Sequence, residues 1–147
     1  MAETTTAPAQ TKVMQLVPYI FFYGRCEEAL EFYKQTFGGT YELMRNEDSP
    51  MRDEVAADSG KKVMHATFHG PSIDFMASDG REVKQVDPDA GNISLGLSLS
   101  DQGEGERVFN ALSQGGKVSM PLGEAFWGGK FGMLVDRFGT EWLLNIS

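Results

Sequence analysis

Residues 16–39, LVPYIFFYGRCEEALEFYKQTFGG, decide the fold of this chain. The run over 16–23 is apolar and rich in aromatic residues, which predicts a strand buried on both faces. After Gly24 the apolar residues recur at helical spacing. One side of the predicted helix is formed by Cys26, Ala29, Leu30, Tyr33 and Phe37. The glycine pair at 38–39 predicts the end of this helix, so the stretch forms one strand–helix unit.

Residues 94–116, SLGLSLSDQGEGERVFNALSQGG, repeat this unit with the same order of strand, turn, helix and double glycine. Phe109 corresponds to Phe32 at an offset of 77 (109 − 32), and the glycine pair at 115–116 follows the same offset. A repeated unit in so short a chain predicts a duplicated fold. The seam between the two copies is where we expect a functional site.

The composition limits the classes of partner. A chain of 147 residues fits one globular domain, and 41% hydrophobic residues are enough to form its core. The net charge of −8 would repel nucleic acid, which we therefore exclude as a partner. The apolar runs are far shorter than the roughly 20 residues of a membrane span, so we expect no membrane partner. Cys26 has no second cysteine to pair with, which favours a reducing cytoplasm.

The pattern of strands and helices predicts an α+β fold made of two βαβββ modules. The modules would form a mixed eight-stranded sheet around a central cleft, with the helices on the outer face. We predict a flexible tail over residues 1–12, a first module over 13–77, a linker over 78–91 and a second module over 92–147.

Two strand patterns predict which side chains face the cleft. Residues 61–77 form a predicted hairpin whose apolar face packs on a helix and whose other face has mixed polarity. That second face carries His65, Thr67, His69, Ser72, Asp74 and Met76. Residues 92–99 alternate large apolar residues, from Ile93 to Leu99, with Ser94, Gly96 and Ser98, whose small side chains leave room for a ligand.

The candidate site residues follow from these faces and from the glycine-rich loop at 123–130. The ligand-binding candidates are His65, Asp74, Met76, Ser94, Ser98, Glu124, Phe126 and Trp127, and the catalytic candidates among them are His65, Asp74 and Glu124. Asp74 and His65 can form an acid–base pair, or a hydrogen bond that only ties the hairpin together. Phe126 and Trp127 can stack on a flat ligand or cap the cleft, or they can seal the interface between modules.

The motifs PYIFFYGRCEEALEFYKQTFGG (18–39), MHATFHG (64–70), EAFWGGKFG (124–132) and DRFGTEW (136–142) resemble the vicinal oxygen chelate superfamily. Glyoxalase I, extradiol dioxygenases and bleomycin-resistance proteins belong to it. The nearer resemblance is to its PhnB-like branch, often labelled by similarity to 3-demethylubiquinone methyltransferases. The resemblance covers about residues 14–146 and implies the fold, but the same scaffold supports many reactions.

Metal-dependent members of the superfamily place ligands on the first and last strands of each half. Carried over to this sequence, the four positions fall on Pro18, Asp74, Ser94 and Leu143. Only Asp74 is a suitable ligand for a divalent metal, so the resemblance implies that the usual metal site is absent and that no cofactor is bound. A displaced metal site that uses His65, Asp74 and Glu124 is the alternative.

Two hypotheses about function follow. The first is a small-molecule binding or sequestering protein whose ligand is modest in size and partly aromatic or apolar. The second is a lyase, isomerase or dioxygenase-like enzyme that uses a displaced metal or the acid–base chemistry of His65 and Asp74. A methyltransferase is disfavoured because no glycine-rich cofactor loop follows a strand. Sheets covered by a helix on one face only also lead us to expect a homodimer that completes the cleft.

We expect the protein to carry no stoichiometric divalent metal when it is purified without chelators. The physical reason is that three of the four usual ligand positions hold Pro18, Ser94 and Leu143. Elemental analysis checks this directly. One tightly bound Zn, Ni, Fe or Mn per chain, with Asp74 among its ligands, would contradict it.

Overall fold

The computed structural model describes residues 14–54 and 56–147, in which it places eight strands and two α-helices. The predicted tail at 1–12 lies outside the described residues. The elements are β1 (Tyr19–Phe21), α1 (Cys26–Phe37), β2 (Thr40–Arg45), β3 (Val63–His69), β4 (Asp74–Ser78), β5 (Leu95–Leu99), α2 (Gln102–Ser113), β6 (Lys117–Glu124), β7 (Lys130–Val135) and β8 (Glu141–Ile146). Within this part of the chain, neither helix is long and apolar enough to cross a membrane.

The strands form two four-stranded sheets with the same topology. Sheet A has the order β1-β4-β3-β2, and sheet B has the order β5-β8-β7-β6. In each sheet the first strand runs parallel to the last one, while the remaining neighbours are antiparallel. This arrangement confirms the predicted α+β fold of two βαβββ modules, related by the repeat that the sequence contains.

At the start of each helix, the carboxylate of an aspartate accepts a hydrogen bond from a backbone N–H group. Asp79 accepts from the backbone N–H of Cys26 at 2.8 Å and from that of Val63 at 2.7 Å, so it ties the start of α1 to β3. Asp79 directly follows β4, the last strand of the first module, which ends at Ser78. Asp101 accepts from the backbone N–H of Glu104 at 2.9 Å and caps α2, as its position predicts.

The opening strand differs from the prediction. It contains three residues instead of the run over 16–23, and it lies at the edge of sheet A with β4 as its one strand neighbour. Ile20 packs towards the core, whereas Tyr19 is 39% exposed and Phe21 is 49% exposed. A strand with one hydrogen-bonded neighbour and a helix on one side cannot bury both faces. The prediction of a strand buried on both faces is therefore wrong within a single chain. The prediction that Ile93 belongs to the alternating strand over 92–99 is also wrong, because this residue precedes β5 and is 85% exposed.

The helix-covered sides of both sheets share one core around Asp136. Its carboxylate, 2% exposed, accepts hydrogen bonds from the Tyr33 hydroxyl on α1 and from the Trp142 indole on β8. It also accepts from the backbone N–H groups of Phe138 and Thr140. Burial raises the pKa of Asp136 above its ordinary value, and the hydrogen bonds oppose that rise. The carboxylate therefore links a helix of the first module to the last strand of the second.

The opposite sides of the two sheets are not covered by a helix in the described chain, and we refer to them as the open faces. Side chains on the open face of sheet A include Tyr19, Phe21, Met44, His65, Thr67, His69, Asp74 and Met76. Side chains on the open face of sheet B include Ser98, Met120, Phe131, Met133, Leu143 and Asn145. Large apolar residues on these faces are exposed, among them Met120 at 46%.

We expect Asp136→Ala to lower the free energy of unfolding by about 3 kcal/mol or more, because it leaves the buried Tyr33 hydroxyl and Trp142 indole without their acceptor. Urea denaturation followed by circular dichroism measures this loss. The exposed Asp89 is the matched control, since Asp89→Ala should change the free energy by less than about 0.5 kcal/mol. Equal stability of the two variants would contradict the role given to Asp136.

Candidate functional site

Tyr19 and His65 come together on the open face of sheet A. The Tyr19 hydroxyl lies 3.3 Å from Nδ1 of His65, and the two rings are 5.7 Å apart. Tyr19 is paired with Met76 on β4, which is paired in turn with Thr67 on β3. The sequence placed His65 and Met76 on this face, and the structure adds Tyr19. Tyr19 alternates with the core-facing Ile20 in the sequence, and this alternation could have identified Tyr19 as a residue of the open face.

Asp74 does not pair with His65, although the acid–base hypothesis requires the two side chains to be in contact. The strand register places Asp74 opposite His69, and its Oδ1 lies 3.7 Å from Nδ1 of that residue. His65 lies four residues further along β3, a distance of about 13 Å. The prediction of an acid–base pair between His65 and Asp74 is therefore wrong, and so is the alternative prediction of a structural hydrogen bond between them.

On the open face of sheet B, Trp127 folds over the end of β8. Its indole N–H donates to Oδ1 of Asn145 at 3.2 Å, and its ring packs edge-on against Phe131 at 5.4 Å. Ser98 is paired with Asn145 on the same face. Phe126 packs against Trp127 but is 97% exposed. The hydrogen bond and the ring contacts of Trp127 all lie within the second module, which favours a cap on this open face over a seal between the modules.

A groove of about 540 Å³ separates the edge of β1 from the start of β5 and β8. Its walls include Pro18 and Tyr19 from the first module and Ser94 and Glu141 from the second. The Ser94 hydroxyl is hydrogen-bonded to the carboxylate of Glu141. The sequence predicted Ser94 as a site residue but missed Glu141, which shares a face of β8 with Leu143 and Asn145. This groove lies at the seam where the duplication predicted a functional site.

Glu124 lies away from the open faces. It ends β6 opposite Lys130, whose Nζ lies 3.2 Å from Oε2 of Glu106 on α2. Residues that pair directly across antiparallel strands share a face, so Glu124 belongs to the helix-covered side of sheet B. The prediction that Glu124 takes part in the same site as His65 and Asp74 is therefore not supported by its position.

The residues present do not fit the metal site of the superfamily. Among the described residues, no three His, Cys, Asp or Glu side chains are grouped closely enough to hold a metal ion. Pro18 has no ligand atom on its side chain, Leu143 is paired with Met133, and Asp74 is beside His69. Near the usual positions, Glu141, bonded to Ser94, and Asp87 on the wall of the seam groove add carboxylates.

Cys26 has no catalytic role in this geometry. Its side chain is completely buried at the start of α1, and burial raises the pKa of its thiol to about 12. A thiol with such a pKa is not ionised at neutral pH. Its side chain fills the core beside the other buried residues of α1.

Comparisons with known proteins agree with this geometry. The family model described as 3-demethylubiquinone-9 3-methyltransferase matches residues 14–145. The crystal structure of protein PA1353 from Pseudomonas aeruginosa is 40% identical, with a TM-score of 0.78, and the match covers 92% of this chain and 98% of that one. A putative 3-demethylubiquinone-9 3-methyltransferase, the PhnB protein from Bacillus cereus, is 29% identical, with a TM-score of 0.73 and coverage of 91% and 100%.

The protein YjdN of Escherichia coli K12 is 29% identical over 144 residues, which covers 90% of this chain and 95% of that protein. Solved members of the glyoxalase/bleomycin resistance/dioxygenase superfamily share the fold at lower identity, with TM-scores of 0.52 and 0.55. The matched length and the common topology agree with the resemblance carried by the sequence motifs. The chain belongs to the family that is described as 3-demethylubiquinone-9 3-methyltransferase, and it has the fold of the glyoxalase/bleomycin resistance/dioxygenase superfamily.

Proposed function

We propose that this protein binds and sequesters a small molecule, modest in size and partly aromatic or apolar, against its open sheet faces. The observation that carries the proposal is the exposure of large apolar side chains on both faces. Phe21, Met120 and Trp127 are about half exposed, and polar side chains such as His65 and Asn145 lie on the same faces. Apolar surfaces with a small number of placed polar groups are typical of ligand sites.

The polar groups near these surfaces are positioned by hydrogen bonds. The Tyr19 hydroxyl is held near His65, the Asn145 amide is bonded to Trp127, and Ser94 is bonded to Glu141. Groups that are held in place before a ligand arrives lose little entropy when it binds. These three pairs would orient a ligand whose rings cover the aromatic and methionine side chains.

The proposal includes a homodimer in which a second copy covers the open faces. Tyr19, Phe21, Met44 and Met120 are each more than a third exposed in one chain, which is unfavourable at roughly 25 cal/mol for each Å² of apolar surface left in water. The free edges of β1 and β5 also leave backbone groups without strand partners in the described chain. A twofold dimer satisfies both requirements with one self-complementary interface.

The second candidate function is a lyase, isomerase or dioxygenase-like enzyme. Two observations favour it: the imidazole of His65 beside the Tyr19 hydroxyl, and the carboxylate of Glu141 at the seam groove. An imidazole and a carboxylate are the usual general acids and bases. A methyl transfer, as in the description of the family, has less support because β1 and β5 are followed by FYGR (22–25) and SDQG (100–103), which are not glycine-rich cofactor loops.

We expect light scattering at micromolar protein to give about twice the chain mass of 16.2 kDa. Met120→Glu should shift the protein towards the monomer, since it places a charge in the proposed interface. Asn110→Glu is the matched control, because it adds the same charge at an exposed position of α2 and should leave the dimer intact. A monomer at all concentrations, or a dimer that Met120→Glu does not weaken, would contradict the proposal.

A further inference from the structure

His65 has an unusual position among the polar groups of the open faces. It is half-buried on β3, with Met44 opposite it on β2 and the ring of Tyr19 beside it. Its Nδ1 faces the Tyr19 hydroxyl, whereas its Nε2 has no hydrogen-bond partner among residues 14–54 and 56–147. A polar atom without a partner on a largely apolar surface is available to a ligand.

The pair of Tyr19 and His65 offers a hydrogen-bond donor in either neutral tautomer of the imidazole. If the Tyr19 hydroxyl donates to Nδ1, the proton of the imidazole lies on Nε2 and points away from the pair. If Nδ1 carries the proton and donates to the Tyr19 oxygen, the phenol proton becomes the free donor. A ligand that meets this pair therefore gains a hydrogen bond if it presents an acceptor.

The surface next to this donor is aromatic. The rings of Tyr19 and Phe21 are 5.1 Å apart, and those of Phe21 and Tyr23 are 6.1 Å apart, so the three form a continuous row. Met44 and Met76 lie on the same face. Rings in offset or tilted contact and polarizable thioethers favour a flat aromatic ligand.

The charge of the chain favours an uncharged acceptor. The net charge is −8, which disfavours the approach of an anionic ligand. The Lys84 ammonium lies 4.4 Å from the centre of the Tyr23 ring, but it is paired with the carboxylate of Glu82 at 3.3 Å. A carbonyl oxygen accepts a hydrogen bond without carrying a charge.

We propose that Tyr19 and His65 select planar aromatic ligands that carry an uncharged oxygen acceptor, such as aryl ketones. The inference rests on the proposed function, because it assigns the ligand class of the same open faces. The aromatic row binds the rings, and the free donor of the pair binds the oxygen. His65 is then a specificity-determining residue of the binding site.

The test compares three naphthalenes that differ in one substituent, by equilibrium dialysis with the full chain. 2-Acetylnaphthalene has the neutral acceptor, 2-ethylnaphthalene lacks it, and 2-naphthoate carries a charge. We expect the ketone to bind three- to tenfold more tightly than 2-ethylnaphthalene, the range of one net hydrogen bond, and more tightly than 2-naphthoate.

The donor lies on Tyr19 or on His65, so the decisive variant changes both residues. Tyr19→Phe/His65→Phe keeps both rings on the open face but removes the hydroxyl and the imidazole, so the preference for the ketone over 2-ethylnaphthalene should disappear. His69→Phe changes the other histidine on the same strand, and the preference should remain. Preference retained in the double variant, or lost equally in the double variant and in His69→Phe, would overturn the inference.

An imidazole NMR spectrum of the unaltered protein completes the test, because the ligand is then added to the native binding surface. Two imidazole systems are expected, and the spectrum of His69→Phe assigns them. 2-Acetylnaphthalene should shift the signals of His65 and leave those of His69 in place. Equal binding of the ketone and 2-ethylnaphthalene overturns this inference but leaves the proposed function standing. Signal shifts that occur only at His69 have the same consequence. Binding of none of the three compounds overturns the proposed function as well.

Discussion

The carboxylate of Asp136 is the constraint on which the arrangement of the two modules depends. It is almost completely buried, and it accepts hydrogen bonds from a helix of one module and a strand of the other. A buried carboxylate without these donors would cost several kcal/mol, so the helix-covered sides of both sheets must meet there. Once those sides form the common core, the other side of each sheet is left as an open face.

The two modules share a topology but differ in the chemistry of their open faces. Sheet A carries an imidazole, a phenol and a row of aromatic rings, whereas sheet B carries methionines, Leu143 and the indole of Trp127 bonded to Asn145. The seam groove joins both, with Tyr19 on one wall and Glu141 on the other. A duplicated scaffold can therefore carry different chemistry on its two open faces, more polar on sheet A and more apolar on sheet B.

The sequence predicted the elements of the fold better than the partners of single side chains. Alternation and helical spacing identified the buried faces correctly, because Phe68, Leu30, Trp142 and Leu144 are fully buried. The pairing of Asp74 with His65 failed because a hairpin pattern assigns residues to a face but does not fix their separation along it. The environment of Glu124 was missed because irregular register in β6 shifts the face that each residue occupies. β1 is half exposed because it lies at the edge of sheet A. The composition of a strand does not show whether it lies at an edge, since this depends on the order of the strands in the sheet.

The most direct measurement of the central claim, that the open faces bind the ligand, is a methyl NMR spectrum of methionine-labelled protein titrated with 2-acetylnaphthalene. Met44, Met76, Met120 and Met133 lie on the open faces. Met14 and Met51 are exposed elsewhere and serve as internal controls. The account predicts that signals of the first group shift while those of Met14 and Met51 do not. Shifts confined to Met14 or Met51, or no shift at any methionine, would contradict it.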